Sequence, residues 1–190
     1  MADKEKNTKV ITGKVRFSYV HVFEPEAVGD SEDKKYSVSI IIPKSDKKTL
    51  SAIKQAIELA KENGKTSKFG GKIPANLKTP LRDGDEERPD DEAYENAYFI
   101  NASAYTKPGI VDRELNPITD EEEFYSGCYG RASITFFPFN ASGNKGIAAG
   151  LNHVQKTSEG ERLGGRVSVD VDFADEPEFD DEDEDDDFLS

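Results

Sequence analysis

The chain has 190 residues, 35% of them hydrophobic and 34% charged, and a formal net charge of -14, which suits one domain with appendages better than two full domains. Met1 to Lys9 is polar and unlike a secretory leader, and no run approaches the ~18 apolar residues of a membrane helix, so a soluble cytoplasmic protein is expected. The single cysteine, Cys128, excludes an internal disulfide and agrees with a reducing compartment.

Residues 1–8 read as a flexible N-terminus. From Val10 to Val22, Val15, Phe17, Tyr19 and His21 alternate with Lys14, Arg16 and Ser18, the period of a strand. Pro25 and Gly29 mark a loop. Lys35 to Ile42 is a second strand, with Tyr36, Val38, Ile40 and Ile42 inward, and Pro43 ends it. Ser45 or Asp46 caps a helix to about Glu62, whose Leu50, Ile53, Ile57 and Ala60 recur at helical spacing, and Gly64 is expected to stop it.

A basic loop follows from Lys65 to Lys72, and residues 74–96 read as mostly irregular. Tyr98 to Tyr105 is a strand, Pro108 to Ser126 a long connection. Tyr129 to Phe139 is a strand with Ala132, Ile134 and Phe136 inward and Arg131, Ser133, Thr135 and Phe137 outward. After a turn at Asn140 to Gly146, Ile147 to Val154 and Gly165 to Phe173 complete about six strands. Many short strands with turns between them predict a mainly β chain, a closed or partly closed antiparallel barrel carrying one amphipathic helix and long loops. Residues 9–173 form that domain, and 174–190 have too little apolar surface to fold.

The charge is unevenly placed. Asp175 onward holds eleven acids and no cation, so residues 1–174 set 28 acids against 25 cations, a net of -3. Asp83 to Glu95 carries eight acids against Arg88, and Asp112 to Glu123 six against Arg113. Outside these two runs the body stands at +9. The acids are confined to a tail and two connections, and the scaffold between them is basic.

Reactive constellations are sparse. His21, His153 and Cys128 cannot build a structural His/Cys zinc site, and neither a metal nor a cofactor is expected. Cys128, between Gly127 and Tyr129, reads as a small buried residue in preference to a nucleophile paired with His153. Gly64-Lys65-Thr66 mimics the end of a phosphate-binding loop, but Leu59 stands where its first glycine belongs. Asp83-Gly84-Asp85 resembles the start of a calcium loop, but Arg88 occupies the glycine position. A catalytic role is not expected. A metal-dependent nuclease would need carboxylates on rigid elements, whereas these lie mainly in the runs.

Single strands of nucleic acid are bound by cations and exposed rings, each stacked base contributing ~1–3 kcal/mol. Tyr and Phe number 7 and 11 here, many beside a cation. Phe17, Phe99 and Phe136 share faces with core residues. Tyr105, ending a strand near Lys107, and Phe137, on the face of Arg131, are candidates for stacking. Lys78, Arg82, Lys107, Arg131 and Lys145 are candidates for phosphate, although a strand cation is often merely solvated. The turn around Gly143 either approaches a phosphate or only closes a hairpin. Asp180 to Asp187 is an unbroken acidic run ending in Phe188-Leu189-Ser190. Asp185, Asp186, Asp187, Phe188 and Leu189 read as a partner-binding peptide. The polyanion before it can also occupy a cationic groove, at a tethered concentration of roughly millimolar order.

The segments Gly13-Lys14-Val15-Arg16-Phe17-Ser18-Tyr19-Val20-His21, Tyr36-Ser37-Val38-Ser39-Ile40-Ile41-Ile42-Pro43-Lys44, Leu77-Lys78-Thr79-Pro80-Leu81-Arg82-Asp83-Gly84-Asp85 and Phe124-Tyr125-Ser126-Gly127-Cys128-Tyr129-Gly130-Arg131-Ala132 resemble the phage and prophage single-stranded DNA-binding proteins, over residues 8–173. The resemblance implies an OB-fold barrel with extra elements, acting in phage replication or recombination in the host bacterial cytoplasm. It implies single-stranded DNA and replication or recombination proteins as partners, with homo-oligomerisation left open. The tail also looks like those of single-strand binders that finish with acids and a terminal Phe, except that two residues follow Phe188. The rival reading is an acidic protein-binding adaptor or DNA mimic, which would spread its acids over the folded surface.

Overall fold

The computed structural model describes residues 8–27 and 33–163. In chain order its strands are β1 (Lys9–Ile11), β2 (Val15–Ala27), β3 (Lys34–Pro43), β4 (Arg82–Asp83), β5 (Ala97–Ala104), β6 (Gly109–Val111), β7 (Tyr129–Ala141) and β8 (Asn144–Ser158). Helix α1 (Lys47–Ser67) follows β3, and the short α2 (Gly84–Glu87) and a 3₁₀ turn (Glu92–Tyr94) precede β5.

Five strands close on themselves. β2 pairs β3, β3 pairs β5, β5 pairs β8 in parallel, β8 pairs β7, and β7 returns to β2. This is the five-stranded Greek-key barrel of an OB-fold, with β1 added to β7, β6 to β8 and β4 to β5. The interior follows from alternation: Val38, Ile40 and Ile42 of β3, Ile100 and Ala102 of β5, and Ala132, Ile134 and Phe136 of β7 are all buried.

Asp46 caps α1, its carboxylate accepting the Thr49 N–H at 3.2 Å. Leu50, Ile53, Ala56, Ile57 and Ala60 form the buried stripe, which packs mainly on β7 and β1.

Gly64 does not stop the helix. It lies within α1, and a Cβ there would sit 2.4 Å from Cβ of Pro138, so the glycine permits helix and β7 to approach closely. The strand expected over Val10 to Val22 is two strands, broken where Gly13 N–H donates to Thr49 Oγ1 at 2.9 Å. The connection from Pro108 to Ser126 contains β6, and the irregular stretch 74–96 contains β4, α2 and the 3₁₀ turn. The strand expected at Gly165 to Phe173 and the acidic tail lie outside the described residues.

The acidic run Asp83 to Glu95 is folded onto the barrel. Tyr94 and Phe99 pack edge to face at 5.0 Å between centroids, and with Ile41 and Ala97 they form a second buried cluster. Tyr94 is fully buried and its hydroxyl donates to Ser39 Oγ at 2.9 Å. Burial pushes the Tyr94 phenol above its ordinary value. Phe99 is therefore core, as alternation suggests, but in the cluster beneath the acidic segment and not inside the barrel.

Candidate nucleic-acid interface

The outward residues of β3, β5, β8 and β7 form one continuous face. Register pairs Ser37 with Ser103, Ser39 with Asn101, Ser103 with Gly150, and Gly150 with Thr135. Directly paired residues share a face of a sheet, so small and polar side chains run across the barrel wall. In OB-folds the second and third strands and the loop between the fourth and fifth carry oligonucleotides; here those are β3, β5 and the β7–β8 hairpin.

Three exposed rings border this face. Tyr105, just beyond β5, is 66% exposed, and Lys35 Nζ sits 4.8 Å from its centroid. Phe137 of β7 is 44% exposed and lies beside Gly150. Tyr19 of β2 is 52% exposed, against the inward position that strict alternation assigns it. The register of β2 against β3 shifts between Ser18 and His21, and Tyr19 has φ 47°. A bulge of this kind turns a side chain to the opposite face, leaving Ser18 buried and Tyr19 outside.

The other sequence-derived candidates divide by what holds them. Lys78 and Lys145 meet near the tip of the β7–β8 hairpin, where Lys78 N–H reaches the Lys145 carbonyl at 3.4 Å and Ile147 N–H donates to the Lys78 carbonyl at 2.8 Å. Lys107 Nζ lies 5.8 Å from the Phe23 centroid. Arg82 is ion-paired with Glu87 at 2.8 Å, and Arg131 donates through Nε to the Thr12 carbonyl at 2.8 Å. Tyr105 and Phe137 thus lie along the face, and Lys78 adjoins Lys145 through the backbone of the hairpin, where Lys145 pairs with Asn140 on the side opposite Phe137; Arg82 and Arg131 are engaged elsewhere. Asp185 to Leu189 lie outside the described residues.

Two acids of the run Asp83 to Glu95 are occupied by the scaffold. Lys44 Nζ contacts Asp83 at 2.9 Å and Asp85 at 2.8 Å. The hydrogen bond from Lys44, then that from Asn96 N–H, holds the Asp85 carboxyl below its usual range, and Lys44 is raised in turn. Cys128 is buried, and burial pushes its thiol up, which disfavours a reactive thiolate.

A family model described as the Enterobacter phage Enc34 ssDNA-binding protein matches residues 8–189. The chain belongs to that family. It is similar to protein p50 of Acyrthosiphon pisum secondary endosymbiont phage 1, 31% identical over 183 residues, covering 90% of this chain and 98% of that one. Among solved structures it resembles the single-stranded DNA-binding protein from bacteriophage Enc34 in complex with ssDNA. The TM-score is 0.74 at 29% identity, with 83% of this chain and 90% of that chain covered. The bacteriophage T7 single-stranded DNA-binding protein gp2.5 shares the fold, with a TM-score of 0.57, 14% identity and coverage of 90% and 96%.

Within the Enc34-type fold, the sequence reading missed Tyr19, the serines and Asn101 of the face, and the position of Arg88. Adjacent Ser and Asn on alternating positions of two strands were the available signal for the face. Nothing in the alternation of β2 announces the bulge at Tyr19.

Proposed function

We propose that the chain binds single-stranded DNA along the β3–β5 face, without catalysis and with little preference for sequence. The observation that carries this reading is the face itself: polar and small across its width, with no carboxylate in the lining of the cleft formed by Tyr19, Lys35, Ser37, Ser39, Asn101 and Ser103, and bordered by Tyr19, Tyr105 and Phe137. Rings give base stacking without reading base identity, and Lys35, Lys78, Lys107 and Lys145 offer phosphate contacts. The structure of the Enc34 protein with ssDNA and the family match support the same ligand.

On this reading the acidic tail restrains non-specific binding, and its Asp185-Asp186-Asp187-Phe188-Leu189 end recruits replication or recombination proteins in the phage-infected bacterial cytoplasm. An adaptor or DNA mimic fits less well, because many acids cluster in the tail and in the two connections.

The test is titration of the full chain and of residues 1–174 against single- and double-stranded oligonucleotides over a salt series. Affinity for single strands should fall with log salt at a slope of about -0.7 per phosphate contacted. Removing the tail should strengthen binding. Salt-independent binding, or none, refutes the interface; unchanged affinity on truncation refutes the role of the tail.

A further inference from the structure

Arg88 is the one cation in the acidic run Asp83 to Glu95, yet it forms no ion pair among the described residues. Its guanidinium is instead held by rings: the carbon lies 4.9 Å from the Tyr94 centroid, 5.0 Å from Phe99 and 5.2 Å from Tyr19. Nε is buried and has no hydrogen-bond partner, and one terminal nitrogen is 3.5 Å from the Tyr19 hydroxyl. A guanidinium offers five donors and no acceptor, so a buried, unused donor marks either a cost or a ligand not yet bound.

Arg88 also lies between two cavities. On one side is a cavity of about 800 Å³ whose wall carries Glu87, Asp90, Asp91, Glu92 and Glu161 beside Arg16 and Arg162. On the other is a cleft of about 320 Å³ on the β3–β5 face, with Tyr19, Lys35, Ser37, Ser39, Asn101 and Ser103 around it and no carboxylate in its lining. The acids beside Arg88 are partly committed elsewhere: Glu87 to Arg82, Asp85 to Lys44, and Asp91 to capping the Ala93 N–H.

We infer that Arg88 and Tyr19 form a one-nucleotide subsite at the edge of the DNA face, the guanidinium taking a phosphodiester and the Tyr19 ring a base. This rests on the single-strand reading above and adds to it that the acidic segment delivers a cation into the interface. Rings hold the guanidinium in place without neutralising it. A phosphate entering the cleft would therefore meet a positive charge that no carboxylate pairs. The neighbouring acids would turn the strand away beyond Arg88, so that the subsite lies at one end of the bound segment.

The chain and its R88M and R88K variants are titrated with an oligothymidylate over a salt series. Methionine keeps an apolar stem against Tyr94 and Phe99, and lysine keeps the charge. R88M should bind on the order of tenfold more weakly, with a salt slope shallower by about 0.7, the value for one phosphate on a single strand. R88K should retain most of the slope. If the wild-type chain binds with a steep slope and R88M keeps it, the subsite is refuted while the single-strand reading stands; if the wild type does not bind, that reading itself has failed. A measurement on the unmodified chain covers the case in which R88M does not fold. Photocrosslinking to an oligonucleotide containing 5-iododeoxyuridine should yield a peptide containing Tyr19, and crosslinks confined to other rings overturn the assignment.

Discussion

Gly150 lacks a Cβ, and one built there would lie 3.3 Å from Cε1 of Phe137 and 3.4 Å from the Thr135 carbonyl oxygen. The Phe137 ring is therefore seated on backbone, with its remaining surface open to solvent. A singly exposed ring is common on protein surfaces; here its open side lies on the proposed DNA face, where a base can stack on it. Replacing Phe137 by Ala should weaken single-strand binding by ~1–3 kcal/mol, the usual contribution of one stacked base. The accompanying loss of stability should stay well below the ~3–5 kcal/mol of a buried phenylalanine. Fluorescence-anisotropy titration with a thermal melt separates the two effects. Full affinity in F137A would remove the ring from the interface.

The helix and β7 meet at Gly64, and here propensity and packing pull in opposite directions. Alanine at a helix interior is favoured over glycine by ~1 kcal/mol. The added methyl would stand 2.4 Å from Cβ of Pro138 and 2.9 Å from Cε2 of Phe69, distances at which backbone must shift. Overpacking of that kind costs about 1–3 kcal/mol, so Gly64→Ala should lower the urea midpoint despite its better propensity; a raised midpoint would show that the contact yields freely. The same position explains why a glycine read from sequence as a helix stop was misread. Composition reports that a Cβ is absent, but not whether a turn or a neighbour requires it. Elements whose alternation is uninterrupted, β3, β5 and β7, were legible in the residues because burial on one face repeats every second position. β2 was legible only as far as Ser18, since a bulge is set by pairing with β3 and leaves no local mark on Tyr19. The face was half legible for the same reason: Phe137 and Tyr105 follow from alternation, whereas Arg88 reaches the sheet only because Tyr94 and Phe99 bury the segment that carries it.

At the scale of the molecule, three carboxylates stabilise local structure around the barrel: Asp85 ties one acidic connection to Lys44, Asp112 closes a turn within the other, and Glu159 follows β8. Asp85 accepts from Lys44 and from Asn96 N–H, and Asp112 accepts the N–H groups of Asn116 and Glu114 at 2.9 Å each. Glu159 is bonded by Lys156 and Tyr125 near the last described residues. All three carboxyls are held below their ordinary values of 3.8, 3.8 and 4.5, chiefly by the Lys44, Asn116 and Lys156 hydrogen bonds respectively. A group with a depressed folded value contributes stability that is present above its unfolded value and is lost as pH falls through the folded one. Lys44 has the opposite sign: raised in the fold, its contribution is complete below its ordinary value of 10.5 and is lost as pH rises through the folded value. Stability should therefore be level between about pH 5 and 8, decline on the alkaline side as pH passes the ordinary values of Cys128 and Tyr94, whose ionisation burial opposes in the fold, and decline on the acid side below about pH 4.5. Protonation of the tail works against that decline, because neutralising eleven clustered acids relieves self-repulsion. Self-repulsion of a contiguous acidic run is present in the unfolded chain as well, so its relief shifts stability little, and the loss of the three carboxylates' hydrogen bonds should prevail. Urea midpoints of the full chain and of residues 1–174, measured from pH 7 down to pH 3, should fall in parallel. A midpoint that holds or rises in both chains would mean that the hydrogen bonds of these three carboxylates do not stabilise the fold.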